Sequence, residues 1–63
     1  MSKQNARHLS IARQHLAVGN VGSYARQIRC AIASALSTRV QNQFRSAALD
    51  DGYTESDLRR LAI

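Results

Sequence analysis

Apolar side chains recur at every fourth position through the middle of this 63-residue chain. The series comprises Tyr24, Ile28, Ile32, Leu36, Val40, Phe44 and Ala48. An α-helix completes a turn in about 3.6 residues, so each step of four moves the apolar stripe about 40° around the axis. A continuous helix from Ser23 to Leu49 is therefore predicted to carry a winding apolar face that one straight partner helix cannot cover.

Glycines and capping residues predict two further helices on either side of this segment. The first helix is expected over about residues 3–18, with Ser2 as its cap, and a reversal is expected at Gly19–Gly22. Ser23 is the expected cap of the second helix. The sequence Thr54–Asp57 resembles a capping box, which predicts a short C-terminal helix. The predicted fold is thus all-α, a helical hairpin with a long second helix and a short third one.

A second interpretation of the long segment divides it into two helices. Residues Thr38–Gln41 follow Ser37 in a pattern that also resembles a capping box, so the helix could break near Ser37–Thr38. The chain would then form a compact four-helix structure. Neither glycine nor proline occurs at this place, and the continuous helix is therefore the preferred prediction.

The continuous helix leads to a predicted homodimer of single-domain chains spanning residues 1–63. A chain of this size buries only about 60% of its unfolded surface, and Cys30, the only cysteine, cannot form a disulfide within one chain. The short first helix would leave the second half of the long helix uncovered, and a second copy could cover it. The predicted interface residues are Ile32, Leu36, Val40, Phe44, Ala47 and Ala48.

Basic residues suggest an additional type of partner. Nine Lys and Arg against four Asp and Glu give a formal charge of +5, and the acidic residues all lie within positions 50–57. Such a charge attracts polyanions. A dimer could contact nucleic-acid phosphates through Lys3, Arg26, Arg29 and Arg39, although few aromatic residues are present to stack on unpaired bases.

Catalytic or metal-binding residues do not form a recognisable set. His8 and His15 lie seven residues apart, and Cys30 has an alanine-rich context that is typical of packing. We therefore expect no enzymatic activity, metal, cofactor or small-molecule substrate. The lone thiol and the absence of a signal peptide or a membrane-spanning segment predict a soluble cytoplasmic protein.

Two resemblances extend these expectations. Residues 12–20, followed by Tyr24-Ala25 and Ala31-Ile32, resemble one tetratricopeptide-type hairpin. Over its whole length, the small size, the Ser2–His8 opening and the basic helical character resemble the short early-region proteins of lambdoid bacteriophages. This second resemblance implies a non-enzymatic factor in the host cytoplasm that modulates host physiology or the choice between lysis and lysogeny. The leading hypothesis is thus a regulator that binds another protein, and the alternative is a basic dimer that binds nucleic acid.

Overall fold

The computed structural model describes all residues 1–63 and contains four α-helices and no strand. The helices are α1 (Lys3–Ala17), α2 (Val21–Ser34), α3 (Thr38–Asp50) and α4 (Glu55–Arg60). The prediction of an all-α fold is confirmed. None of these helices combines the length and the apolar character that a membrane span requires.

The hairpin formed by α1 and α2 begins at the expected cap and reverses at the expected glycine. The Ser2 hydroxyl accepts a hydrogen bond from the Asn5 amide at 3.2 Å. Gly19 has a φ of 79°, a left-handed conformation that glycine adopts without steric cost. The predicted cap at Ser23 is wrong, because the Asn20 side chain caps α2 and accepts from the Ser23 amide at 3.2 Å. α2 therefore starts within the predicted turn.

The prediction of one continuous second helix is also wrong, since the chain breaks over residues 35–37. Ala35 and Ser37 have extended backbones, with ψ values of 133° and 150°. The Ser37 hydroxyl accepts from the Val40 amide at 3.2 Å and so caps α3, one residue before the predicted capping pattern. At the end of α2, the Gln41 side-chain amide donates to the Ile32 carbonyl at 3.5 Å. Side chains near the break thus replace hydrogen bonds that a continuous helix would have made.

The hydrophobic core gives the physical reason for this break. The turn folds α3 back so that Phe44 becomes fully buried in the same cluster as α1 and α2 side chains. A straight helix would have kept Phe44 far from these residues and exposed it to water. The cluster consists of Ala12, Tyr24, Ile28, Ala31 and Phe44.

Most of the residues predicted to form a dimer interface contribute to the packing of a single chain. Phe44 and Ala48 are fully buried, and Ala47 is only 7% exposed. Ile32 and Val40 are partly buried and pack against the core cluster. Leu36 alone is fully exposed. The uncovered half-helix that motivated the homodimer is therefore absent from this fold.

The C-terminal helix forms as its capping box predicts. The Thr54 hydroxyl accepts from the Asp57 amide at 3.1 Å, and the Asp57 carboxylate accepts from the Thr54 amide at 2.9 Å. This second bond is the main reason that the pKa of Asp57 lies below its ordinary value. Leu58 is buried and Ile63 packs against the core cluster, so α4 closes one side of the structure.

Candidate nucleic-acid interface

α2 and α3 form a helical pair joined by only three residues, Ala35 to Ser37. The two helices pack against each other, and Ala31 of α2 and Phe44 of α3 belong to the same core cluster. A pair of packed helices with a three- or four-residue turn is the arrangement in which helix-turn-helix proteins present their second helix to DNA. α3 likewise follows a three-residue turn after α2.

One side of α3 is polar and faces away from the core. Its exposed residues in the first two and a half turns are Thr38, Arg39, Asn42 and Ser46. Spacings of three and four residues place Arg39, Asn42 and Ser46 on a common helical face. Because the opposite side carries Phe44, Ala47 and Ala48, core packing directs this polar face outward. Its orientation is thus a consequence of the fold.

Asn42 occupies the middle of this face and has one partner within the helix. The Arg45 guanidinium donates to the Asn42 side-chain oxygen at 3.1 Å. The amide nitrogen of Asn42 has no partner in the chain and can donate to an external acceptor. Arg39, Asn42 and Arg45 therefore place two cations and an amide group between the first turn and the middle of α3.

A groove of about 560 Å³ runs between α3 and α1. Arg39 and Asn42 line its α3 side, while Leu9 and Arg13 line its α1 side. The complete lining is Met1, Leu9, Arg13, Arg39, Asn42, Gln43, Ser46, Ala47 and Asp50. Cationic and amide groups thus border a surface that also contains apolar side chains and the acidic residue Asp50.

Arg13 is held at this groove by a polar network that joins several elements. Its Nε atom lies 3.0 Å and 3.1 Å from the two Asp51 carboxylate oxygens. The buried Tyr24 hydroxyl donates to the same carboxylate at 2.7 Å. Burial of the Tyr24 ring, together with this hydrogen bond, raises the pKa of the phenol above its ordinary value of 10.0. The network connects α1 and α2 to the C-terminal end of α3.

Most of the positive charge is not neutralised within the protein. Of the nine cationic side chains, two form ion pairs, Arg13 with Asp51 and Arg60 with Asp57. The other seven have no acidic partner. They are Lys3, Arg7, Arg26, Arg29, Arg39, Arg45 and Arg59. Along α3, Arg39 lies in the first turn and Arg45 near the middle, whereas Asp50 is the last residue, so the helix is electrostatically polarised.

The four basic residues predicted to contact phosphates do not share one groove. All four are exposed, but only Arg39 lies in the groove between α1 and α3. Lys3 lines a different groove between α1 and α2, and Arg26 and Arg29 line neither. Asn42 and Ser46 were missed by the sequence interpretation. Their spacing after Ser37 would have indicated an exposed polar face if α3 had been taken as a separate helix.

The remaining candidate residues have other surroundings. Cys30 is exposed, and His8 contacts Gln27 across the α1–α2 hairpin at 3.0 Å. The structure contains no cluster of three or more side chains that could hold a metal ion. No protein-family profile, curated protein or solved structure matches this chain.

Proposed function

We propose that this protein binds double-stranded nucleic acid through the exposed face of α3, which enters the major groove. The observation that carries the proposal is the placement of Arg39 and Asn42 on the outward N-terminal half of a helix that follows a three-residue turn. The N-terminal residues of such a second helix are those that reach base edges. Arginine pairs with guanine or with phosphates, and asparagine pairs with adenine.

The charge distribution supports this orientation. A formal charge of +5 with seven unneutralised cations favours attraction to the phosphate backbone and release of its counterions. Asp50 and Asp51 lie at the C-terminal end of α3, where they would repel a polyanion. The polarised helix therefore favours docking with its N-terminal half closest to the duplex.

The competing function, a regulator that binds another protein, has less support from the fold. The uncovered half of the predicted long helix, which includes Val40 and Phe44, would have offered such a regulator an apolar surface, but Phe44 is fully buried within one chain. Leu36 is the part of the predicted interface that remains fully exposed. A single leucine is a small area for a stable protein–protein contact.

We also propose that the role is regulatory and non-enzymatic, in keeping with the resemblance to early-region proteins of lambdoid bacteriophages. Two of the acidic side chains have structural partners, because Asp51 binds Tyr24 and Arg13 and Asp57 caps α4. These partners account for their placement without a catalytic role. Binding at a nucleic-acid site would then act by changing access to that site.

An anisotropy titration with a short mixed-sequence DNA duplex at several salt concentrations tests the interface. Arg39→Gln is expected to weaken binding and to lower the magnitude of the salt slope by about one, because one phosphate contact is lost. Arg59→Gln is the matched control, since it removes the same charge from an exposed, unpaired residue of α4. It should change binding less than Arg39→Gln does.

Two results would contradict the proposal. The first is the absence of any duplex binding by the wild-type protein at low salt. The second is an equal loss of affinity in Arg39→Gln and Arg59→Gln, which would mean that net charge alone determines binding. Circular dichroism of both variants shows whether the helical fold is retained.

A further inference from the structure

A second groove, on the other side of α1, combines cationic side chains with hydrogen-bond donors. It has a volume of about 520 Å³ and lies between α1 and α2. Its lining residues are Lys3, Gln4, Arg7, His8, Ile11 and Gln27. None of them is acidic, and Lys3 and Arg7 have no ion pair elsewhere in the structure. The groove is thus a concave surface of positive potential that the protein itself does not neutralise.

Lys3 and Arg7 have an unfavourable electrostatic relationship in the free protein. They lie four residues apart on α1, where two like charges face each other and destabilise the helix. Lys3 is also in the first turn of α1, which contains no acidic residue and where the helix dipole disfavours a cation. A bound anion between the two side chains would relieve both effects.

His8 and Gln27 contribute hydrogen-bonding groups to the same groove. The Gln27 amide nitrogen lies 3.0 Å from His8 Nδ1, and an amide nitrogen can only donate. The second amide hydrogen of Gln27 remains as a donor, and the His8 Nε2 atom has no partner within the chain. Two cations and an amide donor are a suitable set for an anion with several oxygen atoms.

We propose that this groove binds a diphosphate or polyphosphate anion. A single helical turn separates Lys3 from Arg7, so neighbouring phosphate groups can contact both side chains. The lining contains one apolar residue, Ile11, and no aromatic ring on which a base could stack. The phosphate chain, and not an attached nucleoside, is therefore the group that is recognised. This site is separate from the α1–α3 groove and does not depend on the function proposed above.

An NMR titration of the ¹⁵N-labelled protein with inorganic pyrophosphate at low ionic strength tests the proposal. We expect shifts confined to the Arg7 and His8 region and to the Gln27 side-chain amide. Arg7→Gln should weaken pyrophosphate binding about tenfold or more, because a charge-assisted hydrogen bond is lost. Arg59→Gln and Arg39→Gln carry the same change in charge at other sites and should retain wild-type affinity.

The outcomes separate this site from general charge attraction. Equal weakening in Arg7→Gln and Arg59→Gln, or shifts spread over all exposed arginines, would overturn the proposal. ADP, which presents a diphosphate on a nucleoside, should bind no more tightly than pyrophosphate. Much tighter binding of ADP would show that the proposed ligand class is wrong. The Arg39→Gln arm also distinguishes this proposal from duplex binding, since it should affect only the latter.

Discussion

Tyr24 makes contacts with more elements than its position in the first turn of α2 alone would suggest. Its ring is fully buried and stacks on Tyr53, with 5.2 Å between the ring centroids. Its hydroxyl donates to Asp51, which also accepts from Arg13. One side chain therefore fixes the segment before α4 and helps to position an arginine at the edge of the proposed interface.

The raised pKa of Tyr24 makes the stability of the protein sensitive to alkaline pH. The unfolded chain releases the phenolic proton near pH 10.0, whereas the folded chain retains it because the ring is buried and bonded to Asp51. The contribution of Tyr24 to the free energy of unfolding should thus be constant below this pH and fall as the pH rises above it. Tyr24→Phe should show a shallower alkaline loss in urea denaturation measured across a pH series.

Tyr53 provides the comparison for this pH effect. The pKa of Tyr53 is also raised, first by burial, but Tyr53 is only partly buried. The Tyr53→Phe variant should therefore still lose stability at alkaline pH, and it should lose more than Tyr24→Phe does. If the wild-type protein and Tyr24→Phe lose stability equally between pH 9 and pH 12, Tyr24 is not the responsible group.

Gln43 has a buried side-chain oxygen without a hydrogen-bond partner. A buried and unsatisfied polar group costs about 1–3 kcal/mol. Methionine has a shape similar to that of glutamine and lacks the side-chain amide. Gln43→Met should therefore raise the free energy of unfolding by roughly 1 kcal/mol. Gln41→Met is a matched control that should lower it, because the Gln41 amide donates to the Ile32 carbonyl. Thermal unfolding of both variants measures the difference, and a destabilised Gln43→Met would contradict the assignment.

At the level of helices, the boundaries of α1 and the start of α4 were easier to predict than the break between α2 and α3. Ser2, Gly19 and the Thr54–Asp57 box act locally, so short sequence patterns identify them. The break at residues 35–37 depends on a contact between Phe44 and residues of α1 and α2 that are distant in sequence. A periodicity of four does not distinguish one winding helix from two helices that fold on each other.

Substitutions at Ser37 and Thr38 test which of the two residues caps α3, since the sequence pattern placed the cap at Thr38 and the structure places it at Ser37. Ser37→Ala removes the hydroxyl that accepts from the Val40 amide and should cost about 1 kcal/mol. For a domain of this size, such a loss lowers Tm by about 4–8 °C. Thr38→Ala should change Tm little, since Thr38 is the first exposed residue of the helix. A larger effect at Thr38 than at Ser37 would place the cap one residue later.

On the scale of the whole molecule, the fold closes its core within one chain. The homodimer is not tested by the structure, and the uncovered surface that first supported it is absent. Because the core is closed within one chain, we instead expect sedimentation equilibrium to give the 7.0 kDa mass of one chain. Phe44→Ala should lose about 3–5 kcal/mol of stability, because it leaves a cavity in the core. Leu36→Asp should keep both mass and stability, since that side chain is fully exposed.

These two variants also separate a monomer from a dimer. A wild-type mass of two chains that falls to one in Leu36→Asp would identify Leu36 as an interface residue.

The candidate site also depends on the whole fold. Arg39 was identified from charge alone, but the groove that it shares with Arg13 forms only after α3 has folded back on α1. No local pattern contains that information.

The parallel stacking of Tyr24 on Tyr53 has a spectroscopic consequence. The chain has no tryptophan, so its two tyrosines dominate the absorption near 280 nm. Rings that lie face to face at a 3° angle in a fixed asymmetric setting should give an ellipticity signal in the near ultraviolet. That signal reports the docking of the C-terminal segment without an added label, and it should vanish if that segment detaches while the other helices persist.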